Sequence, residues 1–342
     1  LPNGQPLRVP QNVGASTARI SYSRGKISLS GEYSYKINDP SSRNGYIYRP
    51  GEAILFNGSY SEKGFALLLG LKRVDNFSFK SNRSAILSDL DINFIPMLAK
   101  QHTYSLMAFY PYATQPTGEL GGQIELQKKF KKETFFGGKY GSDISINYSG
   151  ATGLDTFNYL PKNDSARIGY GLKKYYLGLG DVYFQDFNIE FRHKFSHKFK
   201  MMLMYANQVY NKDVVQGKPG EPVIYSIIGM TELSYRISDE HSVRVEMQHL
   251  YTKQDHKSWA MGLIEYGAGE HWQIVLQDQY NYGNEHAEER YHFYNASVIY
   301  IKSGNRIALG YGKQRAGIFC VGGVCRYVPA SNGLTLSVTS SF

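Results

Sequence analysis

The feature that most limits what this chain can fold into is a strict two-residue alternation carried through long segments. It is cleanest at the carboxy-terminal end. Leu334, Leu336, Val338, Ser340 and Phe342 fall on one face, and Thr335, Ser337, Thr339 and Ser341 on the other. Period two is the signature of a strand, because successive side chains point to opposite sides of the backbone. Residues 26–37 repeat it, with Ile27, Leu29, Tyr33, Tyr35 and Ile37 against Ser28, Ser30, Glu32, Ser34 and Lys36. Residues 184–195 set Phe187, Ile189, Phe191 and Phe195 against Asp186, Asn188, Glu190, Arg192 and Lys194. Residues 242–251 and 271–282 do the same, with Val243, Val245 and Met247, then Trp272, Ile274 and Leu276, on their apolar faces. One face is apolar with aromatics near its ends; the other is polar and often charged.

Connection lengths carry a second signal. Tight turns are expected near residues 23–25, 61–64, 98–102, 131–133, 196–198, 238–241, 267–270 and 303–305. Longer connections are expected at 38–51, 80–91, 113–118, 150–181, 211–222, 252–257, 283–289 and 317–333. Short and long alternate along the whole chain, as they do where periplasmic turns are short and surface loops long. The expected fold is therefore all-β, a transmembrane up-and-down antiparallel β-barrel with about 17 strands visible. Residues 17–342 form the barrel, and residues 1–16 a surface loop or the end of a missing N-terminal portion. The least regular stretch is 80–102, where the strand around residues 93–98 is short and contains Pro96. The longest surface loop, 150–181, is compatible with an inward constriction or an outward docking site. By parity the strand at residues 17–22 runs from outside to inside, so either strands precede Leu1 or the count is off by one strand.

Composition agrees. The chain is 42% apolar and 20% charged, which is not a disordered composition. No run reaches the ~18 apolar residues of a membrane helix, yet barrel strands need only alternate apolar residues. The 29 tyrosines suit the two membrane interfaces, where one end of the ring meets water. A net charge of +9 raises nucleic acid as a partner, but the charges are interleaved with apolar residues and no basic arm exists, so none is expected. Lipopolysaccharide phosphates are the anionic partner such a balance suits.

The polar face supplies candidate lumen-lining residues: Glu32, Lys36, Asp186, Glu190, Arg192, Lys194, Glu232, Arg236, Arg244, Glu246 and Arg306. They form either a charge network that fills the lumen or a pore lining. Cys320-Val-Gly-Gly-Val-Cys325 is symmetrical about a Gly-Gly turn, which places the cysteines opposite each other in a hairpin. Cys320 and Cys325 are the candidate disulfide. The nine histidines fall mostly at turns and strand ends, with no HExxH, GxSxG or P-loop pattern. No catalytic residue, cofactor or metal is expected, and the protein is read as non-enzymatic.

Gln248-His-Leu-Tyr-Thr-Lys253, Asp278-Gln-Tyr-Asn-Tyr-Gly-Asn284 and the run from Gly312 to Arg326 around the two cysteines give the chain a family likeness. With Leu98-Ala-Lys-Gln-His102 and Gly137-Gly-Lys-Tyr-Gly141, it resembles an uncharacterised outer-membrane β-barrel family of Bacteroidota. The likeness runs from about residue 50 onward, and the family extends upstream of this chain's start. It implies a bacterial outer-membrane location and a barrel, and no agreed activity. The expected arrangement has the C-terminus periplasmic, the long loops at the cell surface, and Phe342 as the C-terminal barrel signal. Expected partners are outer-membrane lipid and lipopolysaccharide, the barrel assembly machinery during insertion, and other outer-membrane proteins. A passive solute channel is the first functional expectation. The alternative is an accessory or structural subunit of a larger outer-membrane secretion or surface-display complex. The disulfide is testable by itself: unreduced protein treated with iodoacetamide is expected to take up no label, and uptake of two would refute the bridge.

Overall fold

Segregated faces make each long segment pair edge to edge with its neighbour, because a lone strand leaves every backbone N–H and C=O without a partner. The structure, a computed structural model, describes residues 9–85, 90–159, 169–173, 178–321 and 324–341. Its strands in chain order are β1 (Ala15–Arg24), β2 (Ile27–Lys36), β3 (Gly51–Glu62), β4 (Phe65–Asp75), β5 (Gly118–Phe130), β6 (Ser142–Leu154), β7 (Thr156–Tyr159), β8 (Gly169–Leu172) and β9 (Leu179–Lys194). There follow β10 (Phe199–Asn211), β11 (Val223–Arg236), β12 (His241–Thr252), β13 (Trp259–Ala268), β14 (Trp272–Tyr280), β15 (His292–Lys302), β16 (Asn305–Gln314), β17 (Gly317–Val321), β18 (Val324–Val328) and β19 (Ser331–Ser340).

Fifteen of these form one antiparallel sheet in chain order, β1–β6, β9–β16 and β19, while β7–β8 and β17–β18 are separate two-stranded hairpins. The described ladders run from β1 to β19 and do not join those two strands to each other. Wall strands are 9 to 16 residues long, enough to cross a bilayer at a tilt. Among the described residues no helix is long and apolar enough to cross a membrane, which says nothing about strands.

The outward face follows the alternation. Leu203, Tyr205, Ile227, Met247, Ile264 and Leu276 are all exposed, Leu276 by 53%. A band this continuous in water would be an aggregation surface; against lipid it is the required exterior. Aromatics gather at both ends of the outward rows. Phe195, Tyr235 and Trp272 sit toward the short connections, and Tyr225, Tyr251 and Tyr311 toward the long ones. That is the girdle pattern of a membrane barrel.

The short–long alternation holds. Six connections on one side are tight, at residues 25–26, 63–64, 195–198, 237–240, 269–271 and 303–304. Gly64, at φ 78, supplies the left-handed residue that the two-residue turn at 63–64 requires. Three expectations need correction. The turn at 131–133 is a longer connection, closed by Glu133 N–H donating to Gly138 O, and the strand resumes only at Ser142. The loop expected at 150–181 is shorter at both ends: β6 continues to Leu154 and β9 begins at Leu179, with the separate hairpin β7–β8 between them. Most importantly, the described residues of 76–117 contain no wall strand, although two were expected there. Their only ladder contact among described residues is the isolated bridge Lys80–Asp91. This accounts for fifteen wall strands in place of about 17. Prolines 96, 111 and 116 interrupt the stretch, and a central strand cannot hold a residue without an N–H.

If the outer face meets lipid, Leu276→Arg, at mid-strand, is expected to cost about 2–4 kcal/mol of folding stability in bilayers. The lumen-facing Gln273→Arg on the same strand is expected to cost far less. Urea titration in lipid vesicles measures both, and equal costs would refute the assignment of faces.

Candidate functional site

The described residues of 76–117 leave β4 at the long-connection side, contact the inner face of the sheet and return to β5. The neck is closed by backbone bonds from Asn76 N to Thr117 O at 3.0 Å and from Phe77 N to Pro116 O at 2.8 Å. A collar holds it from outside. Arg49 pairs with Asp75 at 2.7 Å and lies 4.8 Å from the ring of Tyr170, whose hydroxyl also donates to Asp75.

Inside, the insert is fixed by buried charges. Lys72 on β4 meets Glu119 on β5 at 2.8 Å, both 1% exposed. Lys72 also donates to Pro96 O and Thr114 Oγ1, each at 2.8 Å. Glu119 accepts from the Tyr112 hydroxyl at 2.5 Å and from Gln115 N at 2.7 Å. One ion pair thus clamps both limbs of the insert, and every strong lone pair or proton on it has a partner, which buried charge demands. Close by, Leu98 packs onto Gly70, where a Cβ would lie 3.0 Å from its methyl group, so a side chain there would push Leu98 back.

The tip reaches across to the far wall. His102 Nε2 is 2.6 Å from Asp186 Oδ2, and Asp186 also accepts from Asn188 and Gln208. Tyr104 donates to Glu232 at 2.9 Å, Leu106 N to Gln248 at 2.8 Å, and Tyr110 to Asp255 at 3.3 Å. Burial first, then the neighbouring carboxylate, pushes the Tyr104, Tyr110 and Tyr112 hydroxyls above their ordinary range, so all three stay protonated donors. Around these bonds Leu106, Met107, Phe109 and Tyr110 join Met204, Ile224, Ile228, Leu250 and Trp259 of the wall in one apolar cluster.

The sequence-derived lumen residues fall into several groups. Glu232, Arg244 and Glu246 meet, with Arg244 at 3.1 Å and 2.8 Å from the two carboxylates and 2.9 Å from Glu265. Asp186 binds the insert, and Glu190 pairs with Arg192. Lys36 is fully buried and donates to Ser78 O of the insert at 2.5 Å. Glu32 pairs with Arg19 at 2.6 Å near the edge strand. Lys194, Arg236 and Arg306 stand at strand ends beside the short connections, and the last two are exposed. Sequence reasoning missed Lys72, Glu119, Gln248 and the insert residues; the inward parity of Lys72 with Leu68 and Gly70 was the available signal. Cys320 and Cys325 face each other in register across β17–β18, but their side chains, like Phe342, lie outside the described residues. Among the described residues no group of three metal-ligating side chains is placed to hold an ion.

Two cavities flank the insert. One of about 580 Å³ lies toward the long connections, between the tip and β14–β16 and β19. The other, about 660 Å³, lies toward the short turns, between the insert and β3–β6 and β9. Gln101 and Thr103 line both.

Fold and interior together define a class: an up-and-down antiparallel β-barrel of the membrane type, its lumen occupied by one of its own connections. The chain belongs to a family of unknown function (DUF6029), whose model matches residues 3–342. No curated protein sequence matches it. Among solved structures it is similar to a triple mutant of the Rh. blastica porin, at 11% identity and a TM-score of 0.37, over 88% of this chain and 84% of that one. A second mutant of that porin gives 10% and 0.36 over the same shares. The siderophore receptor PirA from Acinetobacter baumannii gives 11% and 0.39, over 96% of this chain and 57% of that one.

Lys72→Met leaves Glu119 buried without a counter-charge and is expected to cost about 3–5 kcal/mol. Hydrogen exchange is expected to rise across residues 96–115 before it rises in the wall. Unchanged protection of that segment would show that the pair does not hold the insert.

Proposed function

We propose that the protein is a passive solute channel of the bacterial outer membrane, with residues 76–117 as its fixed constriction. The observation that carries this reading is that two cavities on opposite sides of the insert share Gln101 and Thr103 in their linings. A route from the long-connection side to the short-turn side then narrows at the insert tip. The apolar exterior and its two aromatic girdles support the membrane setting. In that setting the long connections face the cell surface and the carboxy-terminus the periplasm. Polar groups at a narrowing set which hydrated solutes pass; here they are an amide and a hydroxyl beside Lys100.

The buried apolar cluster beneath the tip favours a second reading, an accessory subunit of a larger outer-membrane complex whose lumen is filled for rigidity. The two readings separate in planar bilayers. The channel reading expects discrete conductance steps from the purified protein and a clear fall in unitary conductance for Thr103→Trp. Absence of steps, or a tryptophan variant conducting like the parent, overturns it. Gentle extraction yielding stoichiometric partners would then favour the accessory reading.

A further inference from the structure

Many charged groups in this lumen have close partners, while unpartnered polar groups gather on one cavity. Lys72, Glu119, Asp186, Glu232 and Glu246 each have close partners. Yet on the 580 Å³ cavity the side-chain amides of Gln101, Gln277, Gln279 and Asn295 have no hydrogen-bond partner among the described residues. Gln279, 8% exposed as a residue, keeps its amide open to that space. On the same lining, the buried His102 Nδ1 and Ser105 Oγ are also unpartnered. The two buried groups are costly without partners, and with the open amides beside them they suit an occupant that both donates and accepts.

The lining also has a charge bias. Lys313 and Arg315 stand on it, and no carboxylate does among the described residues. Lys313 Nζ is 4.4 Å from the ring centroid of Tyr291 and 5.5 Å from that of Phe293. Phe293 presents an aromatic wall beside the amides. Carboxamides match hydroxyl groups in both directions, a ring face suits the C–H face of a sugar, and the Lys313 ammonium favours an acidic group.

We propose that this cavity is a binding site for carbohydrate, preferring acidic sugars over neutral ones and neutral ones over amino sugars. The proposal rests on the channel reading for its biological sense, but not for its test. Calorimetry on the full chain in detergent, titrated with glucuronate, glucose and glucosamine, is expected to rank them in that order. Asn295→Leu removes one amide without adding charge and is expected to weaken all three by about tenfold, the worth of one good hydrogen bond. Lys313→Gln is expected to abolish the advantage of glucuronate while leaving glucose unchanged; since it keeps the amides, it reports on charge even if Asn295→Leu fails to fold. Equal binding of the three sugars, or glucosamine binding tightest, overturns the proposal. No binding together with bilayer conductance overturns it and leaves the channel standing. Binding without conductance upholds the site and removes the channel.

Discussion

The structure turns on one constraint: part of the barrel wall is apolar on both faces. On β10 the inward positions include Met202, Met204, Ala206 and Tyr210, with Gln208 between the last two, and on β11 they include Ile224, Ile228 and Met230. Their outward neighbours Leu203, Tyr205 and Ile227 already face lipid. A water-filled lumen would leave that inner surface wet, at a loss of roughly 1.5–3 kcal/mol for each large side chain exposed. Residues 104–112 supply the missing cover. Leu106 and Met107 are almost fully buried there, Phe109 packs 5.1 Å from Trp259, and Tyr112 stacks 4.9 Å from Phe184. Wall and insert therefore specify each other: neither has an acceptable surface alone.

Apolar cover by itself does not fix a position, since oily surfaces slide. Position comes from the buried charges, which tolerate only partners at defined places. The Lys72–Glu119 pair fixes both limbs near the neck, while Asp186, Glu232 and Gln248 fix the tip on the opposite side. The clamps span the lumen, so the insert leans against β9–β13 and leaves room beside β14–β16 and β19. The same principle explains why the leftover space is lined with unpartnered amides: they lie where the insert does not reach.

Much of the wall was legible in the sequence. Alternation placed the strands at residues 26–37, 184–195, 242–251 and 271–282 within a few residues of β2, β9, β12 and β14. The insert was not, and the reason is physical. Residues 103–112, Thr-Tyr-Ser-Leu-Met-Ala-Phe-Tyr-Pro-Tyr, are rich in strand-forming aromatics, and a segment packed in a lumen needs the same residue types as one packed in a wall. A warning did exist elsewhere. Met201-Met-Leu-Met204 and Ile227-Ile228 break the polar half of the alternation, which signals a covered inner face. Similarly, the lumen residues shared an inward parity in sequence, but their grouping depended on register and on insert contacts that no local pattern contains.

The miscount of strands also shows why the alternation of connection lengths survives it. Both supposed strands lie inside one connection, so deleting them removes an even number of crossings and leaves every later strand facing as before. The insert is thereby bound to hang from the long-connection side, as one oversized member of that set. Its depth is then set by chain length and by the clamp: the limbs leave the neck at Asn76 and Thr117, and Lys72 grips them at Pro96 and Thr114. Only the chain between those two grips is free to reach across, and that span contains Gln101, His102, Thr103 and Tyr104. The location of the narrowing is thus a consequence of where one lysine sits on β4.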